Sequence, residues 1–198
     1  MRSYRQYITE AVVLRSYQHR ESDSSVVIWS RELGKLTATA GGVRKINSKL
    51  RFGLTPYSLS LITLLYGKGG WRITNSVPIQ NLYFSTTGPK NISRVIARVI
   101  AFCDKYLDEG LGYEDVFDTV FNGLDYISKN VKTLSECRSA ERIIVLRVMY
   151  MLGFLDQESF LEPFLSEKVI TDQHIFKMQP LLKETTKVIN RSLHKSSI

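Results

Sequence analysis

Residues that carry thiol and metal chemistry are scarce in this chain. There are two cysteines, Cys103 and Cys137, and three scattered histidines, His19, His174 and His194. Neither cysteine belongs to a CxxC pair, and two thiols cannot by themselves make a structural zinc site or a disulfide scaffold. No histidine stands at metal-ligand or Cys/His spacing. Long apolar runs are missing too. The nearest candidate, Ile143 to Leu155, falls short of the roughly 18 residues a membrane span needs and carries Arg147. The N-terminus, MRSYRQYITEAVVL, lacks a signal peptide's apolar run and cleavage site, so the chain reads as cytoplasmic. Catalytic groupings are equally thin. Glu21 and Asp23 share one turn, where Ser22 and Asp23 suit turn capping. Gly42-Val-Arg-Lys-Ile-Asn-Ser-Lys49 lacks the GxxxxGK[ST] spacing of a phosphate loop. The expectation is a protein that is not an enzyme and holds no metal or cofactor.

What is present is charge, and it is segregated. The chain has 198 residues, 43% apolar and 23% charged, which suits one large globular domain or two small ones. Residues 1–88 hold 12 Lys+Arg against 4 Asp+Glu, a net of +8, while residues 89–198 hold 15 against 15. A solubility requirement does not predict that division; a nucleic-acid-binding half joined to a neutral half does. The excess concentrates in the stretch Gly41 to Pro56, where Arg44, Lys45, Lys49 and Arg51 occur without a single carboxylate. A glycine-hinged basic loop between two strands can reach phosphates while the sheet fixes its direction.

The periodicity changes with the charge. Ile8–Tyr17, Ser25–Trp29, the alternating Leu36-Ala38-Ala40 stretch, Tyr57–Tyr66 and Trp71–Asn75 read as five short strands. Glu32-Leu-Gly-Lys35 and Gly67-Lys-Gly-Gly70 are their tight turns. Beyond Ser85-Thr-Thr-Gly-Pro89 the apolar period becomes helical. One stripe runs from Ile92 to Tyr106, a second from Val116 to Ile127, and a buried helix spans Ile143–Leu152, stopped by Gly153. A last helix begins near Pro180. Cys103 lies on the first stripe and reads as core packing. The predicted fold is α+β: a five-stranded OB-fold β-barrel over residues 1–85, then an all-α helical domain over 89–198.

A succession of short pieces then carries a family resemblance. Thr9-Glu-Ala-Val-Val-Leu-Arg15, Glu21-Ser-Asp23, Glu32-Leu-Gly-Lys35, Ala40-x-Gly-Val-Arg44, Ser48-Lys-Leu50, Leu54-x-Pro-Tyr57 and Tyr66-Gly-Lys-Gly69 occur in an order that resembles the N-terminal domain of the RecO DNA repair proteins. Leu152-Gly-Phe154 resembles a later motif of the same family. The resemblance implies a nucleoid-associated recombination mediator that binds single- and double-stranded DNA and anneals complementary strands. It also implies work with RecR and with single-strand-binding protein, whose C-terminal tail is bound, to load the recombinase. Three departures stand out. Gly41 occupies a position that is often basic, no cysteines follow Cys137 to supply the family's four-cysteine zinc module, and the chain is shorter than is usual.

The candidate DNA contacts are Arg44, Lys45, Lys49 and Arg51, helped by Lys35, Lys68 and Arg72. Tyr57, Tyr66 and Trp71 either stack on bases or fill the barrel's core and rim. Arg142 and Arg147 flank the apolar helix and are candidates for the tail of single-strand-binding protein, or simply snorkel from a core helix. A basic OB-fold adaptor docking on an acidic partner, and an RNA-binding protein without annealing activity, remain alternative readings.

Overall fold

The computed structural model describes residues 5–83, 91–155, 158–167 and 169–196. The expected boundary at Ser85–Pro89 lies outside the described residues. Five strands form a closed barrel: β1 (Gln6–Gln18), β2 (Ser24–Ser30), β3 (Gly34–Ala40), β4 (Ser58–Gly67) and β5 (Gly70–Asn81). The order around the barrel is β1-β2-β3-β5-β4, with β3 and β5 parallel and the other pairs antiparallel. This is the OB-fold arrangement, as the sequence predicts. Closure depends on the length of β1. Its first half pairs with β4 and its second with β2, and an irregularity between Val13 and Arg15 bends it from one to the other.

The interior follows from period-two alternation. Ala11, Val13, Val26, Ile28, Leu36, Ala38, Ala40, Ile62, Leu64 and Ile73 point inward and form one core with Val43 and Leu54. β5 runs six residues past the expected Asn75, through Pro78. Proline cannot donate to a ladder, but Pro78 sits where the pairing with β4 is irregular, between Leu59 and Ser60, so no regular bond is lost.

Val12, Val27 and Trp29 are also buried, although they lie on the opposite pleat from that core. The segment Cys103–Glu114 belongs to the same compact unit as the barrel, not with the rest of the helical half. The Asp104 carboxylate pairs with Arg15 at 3.1 Å, and the Gly110 N–H donates to the Lys35 carbonyl at 2.9 Å. Approach is close enough to require glycine. At Gly34, with φ +71°, a Cβ would lie 1.8 Å from the Leu111 carbonyl oxygen.

The second unit is helical: α1 (Asn91–Tyr106, up to Phe102), α2 (Glu114–Asn130), α3 (Leu134–Met151), α4 (Glu162–Leu165), α5 (Asp172–Met178) and α6 (Leu182–Ser196). The α3 helix is the expected buried one, but it starts nine residues before Ile143. Thr133 and Glu136 form a reciprocal capping box that initiates it on a polar stretch. At its other end the Gly153 and Phe154 N–H groups donate to the Tyr150 and Met149 carbonyls, the Schellman closure expected of Gly153. A single turn of 3-10 helix, Gln179–Leu181, carries Pro180 and leads into α6.

Candidate nucleic-acid interface

The stretch between β3 and β4 is a chain of tight turns. Its N–H groups at Lys45, Ser48 and Arg51 donate to the carbonyls of Gly42, Lys45 and Ser48. Val43 and Leu54 tuck into the barrel core and fix the two ends of the stretch. Arg44, Lys45, Lys49 and Arg51 all stay exposed between those anchors.

The loop is braced by the β1–β2 turn. Asp23 Oδ1 accepts the Gly42 N–H at 2.8 Å, the Arg44 N–H donates to the Ser22 carbonyl at 3.1 Å, and the Arg44 guanidinium donates to the Glu21 carbonyl at 3.0 Å. The last bond orients Arg44 through a neutral group, so its charge is not cancelled. The Gly42 N–H holds the Asp23 carboxyl below the usual carboxylate range, with Ser22 and the nearby Arg20 and His19 acting in the same direction. The capping role expected of Asp23 thus extends nineteen residues along the chain. The same turn carries Arg20, a cation that was not among the expected contacts.

Lys68 and Arg72 occupy a second place on the barrel. With Thr39, Leu65, Gly67, Gly69 and Gly70 they line an open groove at the β4–β5 hairpin. Arg72 stands opposite Thr39 on β3, the strand that leads directly into the basic loop. The β1–β2 and β4–β5 connections are the ones OB-folds use to hold oligonucleotides.

Lys35 does not join either group. It is only 9% exposed, and its ammonium donates to the Asp104 main-chain carbonyl at 2.7 Å. Its charge is committed to holding the Cys103–Glu114 segment on the barrel, and it is withdrawn from the contact set. The three aromatics are also divided. Tyr66 and Trp71 face each other across the hairpin at 4.8 Å between centroids, with Tyr7 edge-on to Trp71 at 5.2 Å. Trp71 packs against the core while Tyr66 remains more than half exposed. Tyr57 lies at the other end of β4, roughly 30 Å away at about 3.3 Å per residue. Its φ is +65° and its ring stacks on Tyr83 at 5.8 Å, so it is held as part of the rim.

In the helical unit Arg147 is 4% exposed and donates to the Phe164 carbonyl at 2.8 Å and the Val169 carbonyl at 3.3 Å. It clamps the chain after α3 and offers nothing to a partner. Arg142 is half-buried, which pulls its pKa down, and its Nε has no hydrogen-bond partner. Glu141 beside it accepts two hydrogen bonds from the Arg98 guanidinium, at 2.5 and 2.6 Å. An open, largely apolar groove of this unit lies elsewhere, lined by Phe160, Pro163, Phe164, Phe176, Lys177, Gln179, Pro180 and Leu181. Cys103 and Cys137 are both buried, and burial pushes the Cys103 thiol up to about 12. Among the described residues no three His, Cys, Asp or Glu side chains gather as metal ligands, and no helix is long and apolar enough to cross a membrane.

A closed barrel in this strand order, with basic loops at its rim, defines an OB-fold protein. Residues 1–81 match the family described as recombination protein O, N-terminal. Over that domain the chain is similar to the RecO family. The DNA repair protein RecO of Heliobacterium modesticaldum is 40% identical over 77 residues, covering 39% of this chain and 28% of that protein. Its counterpart from Alkaliphilus metalliredigens is 28% identical over 121 residues, 61% of this chain and 49% of the relative. The one from Desulfitobacterium hafniense is 27% identical over 148 residues, 75% of this chain and 52% of the relative. The chain therefore spans about half or less of the length of these curated relatives.

Proposed function

We propose that this chain is a DNA repair and recombination protein that acts by binding, without catalysis. Its barrel holds the phosphate backbone and brings complementary single strands together for annealing. With RecR it helps load the recombinase onto DNA coated by single-strand-binding protein. The observation that carries this reading is the carboxylate-free loop of Arg44, Lys45, Lys49 and Arg51, braced on the β1–β2 turn by Asp23 and the Ser22 carbonyl. A loop backbone held in this way meets a polyanion with less to order, which lowers the entropic cost of binding. The RecO N-terminal match supports DNA over an acidic protein as the polyanion.

Fluorescence-monitored annealing of two complementary oligonucleotides tests it. Replacing the four loop cations by Ala should remove most of the annealing rate and leave the melting temperature nearly unchanged, since exposed loop charges add little stability. Annealing at the wild-type rate would refute the loop's role.

For the tail of single-strand-binding protein, the groove at Phe176 and Lys177 fits better than the neighbourhood of Arg142. It combines apolar walls with one cation, Lys177, to meet a terminal carboxylate. Phe176→Ser with Lys177→Ala should weaken binding of a labelled tail peptide at least tenfold, about 1.4 kcal/mol, whereas Arg142→Ala should change it little. The opposite ranking would return the site to Arg142.

A further inference from the structure

A lone apolar side chain on a protein surface calls for no explanation. The basic loop shows two, and they are extreme. Ile46 is 90% exposed and Phe52 is 75% exposed; among the described residues only Phe176 equals Phe52, and none equals Ile46. The loop does not lack inward anchors, because Val43 and Leu54 already join the core and Leu50 packs against it.

Phe52 is not a side chain on a slack tether. It opens the 3-10 turn Phe52–Leu54, and its neighbour Gly53 is pressed into the barrel end, where a Cβ would lie 2.0 Å from Ser76 Oγ. The Gly53 carbonyl accepts Ser60 Oγ at 2.8 Å. The backbone is therefore pinned one residue away from a ring that faces water. Arg51 precedes it directly, and Arg44, Lys45 and Lys49 flank Ile46. Apolar surface presented rigidly among cations, in a loop that carries no carboxylate of its own, matches a ligand that has a negative backbone and flat apolar faces.

We propose that Phe52, with Ile46 beside the same strand, is the base-contacting part of this loop: it stacks on unpaired bases of single-stranded DNA while the four cations hold the flanking phosphates. The proposal rests on the reading of the barrel as DNA-binding. It predicts a preference that cations alone do not give, because both strand forms offer phosphates but only a single strand offers free base faces.

The test compares a labelled oligo(dT) strand with a duplex of equal length, using the full chain. Phe52→Ala should weaken single-strand binding roughly 5- to 150-fold, the range found for loss of one base–aromatic stack. Duplex binding should stay within about twofold, and the salt slope should not move, since no ion pair is removed. Phe52→Trp should keep the affinity, and the added indole fluorescence should be quenched by the single strand only. Ile46→Ser should show a smaller loss of the same selectivity. Wild-type single-strand binding by Phe52→Ala, or an equal loss on both strand forms, overturns the proposal. So does an indole response to anionic lipid vesicles with none to DNA, which would assign the pair to a membrane surface. If the quadruple cation variant also binds DNA like wild type, the DNA reading itself fails; if only the cation variant is impaired, the stacking role alone fails.

Discussion

Asp23 Oδ1 accepts one N–H from Gly42 and stands beside Ser22, Arg20 and His19. Those partners favour the charged form, so the folded-state pKa lies below the ordinary 3.8. A carboxyl with a depressed pKa contributes its stabilisation above the unfolded-state value and loses it as the pH falls through the folded-state value. The bond from the Gly42 N–H to Asp23 is therefore at full strength at neutral pH and weakens only below about pH 4. Its role is to hold the start of the basic loop, not to hold the barrel. Asp23→Ala should speed amide hydrogen exchange at Gly42, Lys45 and Ser48 and lower single-strand affinity a few-fold, with core strand amides unaffected. Asp23→Asn keeps an acceptor oxygen but loses the charge, and should fall between the two. Unchanged exchange at Gly42 in Asp23→Ala would show that the loop holds its own shape.

Arg147 governs how the chain behaves after α3. Its guanidinium is buried, burial pulls its pKa down, and it holds the Phe164 and Val169 carbonyls. A hydrogen bond to a charged donor contributes about 1.5–3 kcal/mol, and the acceptor left behind is costly when buried. Arg147→Met should therefore destabilise the helical unit by roughly 2–4 kcal/mol in urea denaturation, without altering DNA affinity. A loss of DNA or peptide binding with stability intact would instead make Arg147 a contact residue. The difference between Arg142 and Arg147 was invisible in the sequence, where both are cations on one apolar helix. The carbonyls that claim Arg147 lie 17 and 22 residues further on. Strands were legible because period-two alternation and Gly turns mark them directly, and α3 because its apolar run is nearly continuous. The start of α3 was also written in the sequence, as Thr133-Leu-Ser-Glu136, a signal that apolar periodicity alone passes over. The seven residues of α5 are too few to show a period. Its local mark is the cap at Thr171, whose hydroxyl accepts the His174 N–H, while His174 Nδ1 accepts the Thr171 N–H in return.

Across the whole molecule the excess positive charge of residues 1–88 resolves into surface charge and structural charge. Arg44, Lys45, Lys49, Arg51, Lys68 and Arg72 are exposed, whereas Lys35 is enclosed against Asp104. Composition cannot separate the two kinds, since a lysine after a hairpin glycine reads the same in either place. Salt dependence can. Each phosphate neutralised on a single strand contributes a slope of about −0.7 to log K against log salt, so six contacts give roughly −4. Replacing the four loop cations by Ala should leave roughly −1.4, the share of Lys68 and Arg72. Single substitutions of the six should each remove about 0.7 and weaken all sequences alike, because phosphate contacts carry no base information. Lys35→Met should do the reverse, lowering the melting temperature through loss of the Asp104 bond while leaving the slope where it was. Titrations of a labelled single strand at four or five salt concentrations would decide it. If Lys35→Met flattens the slope by the same 0.7, the lysine reaches DNA after all, and the Cys103–Glu114 segment must come away from the barrel when DNA binds.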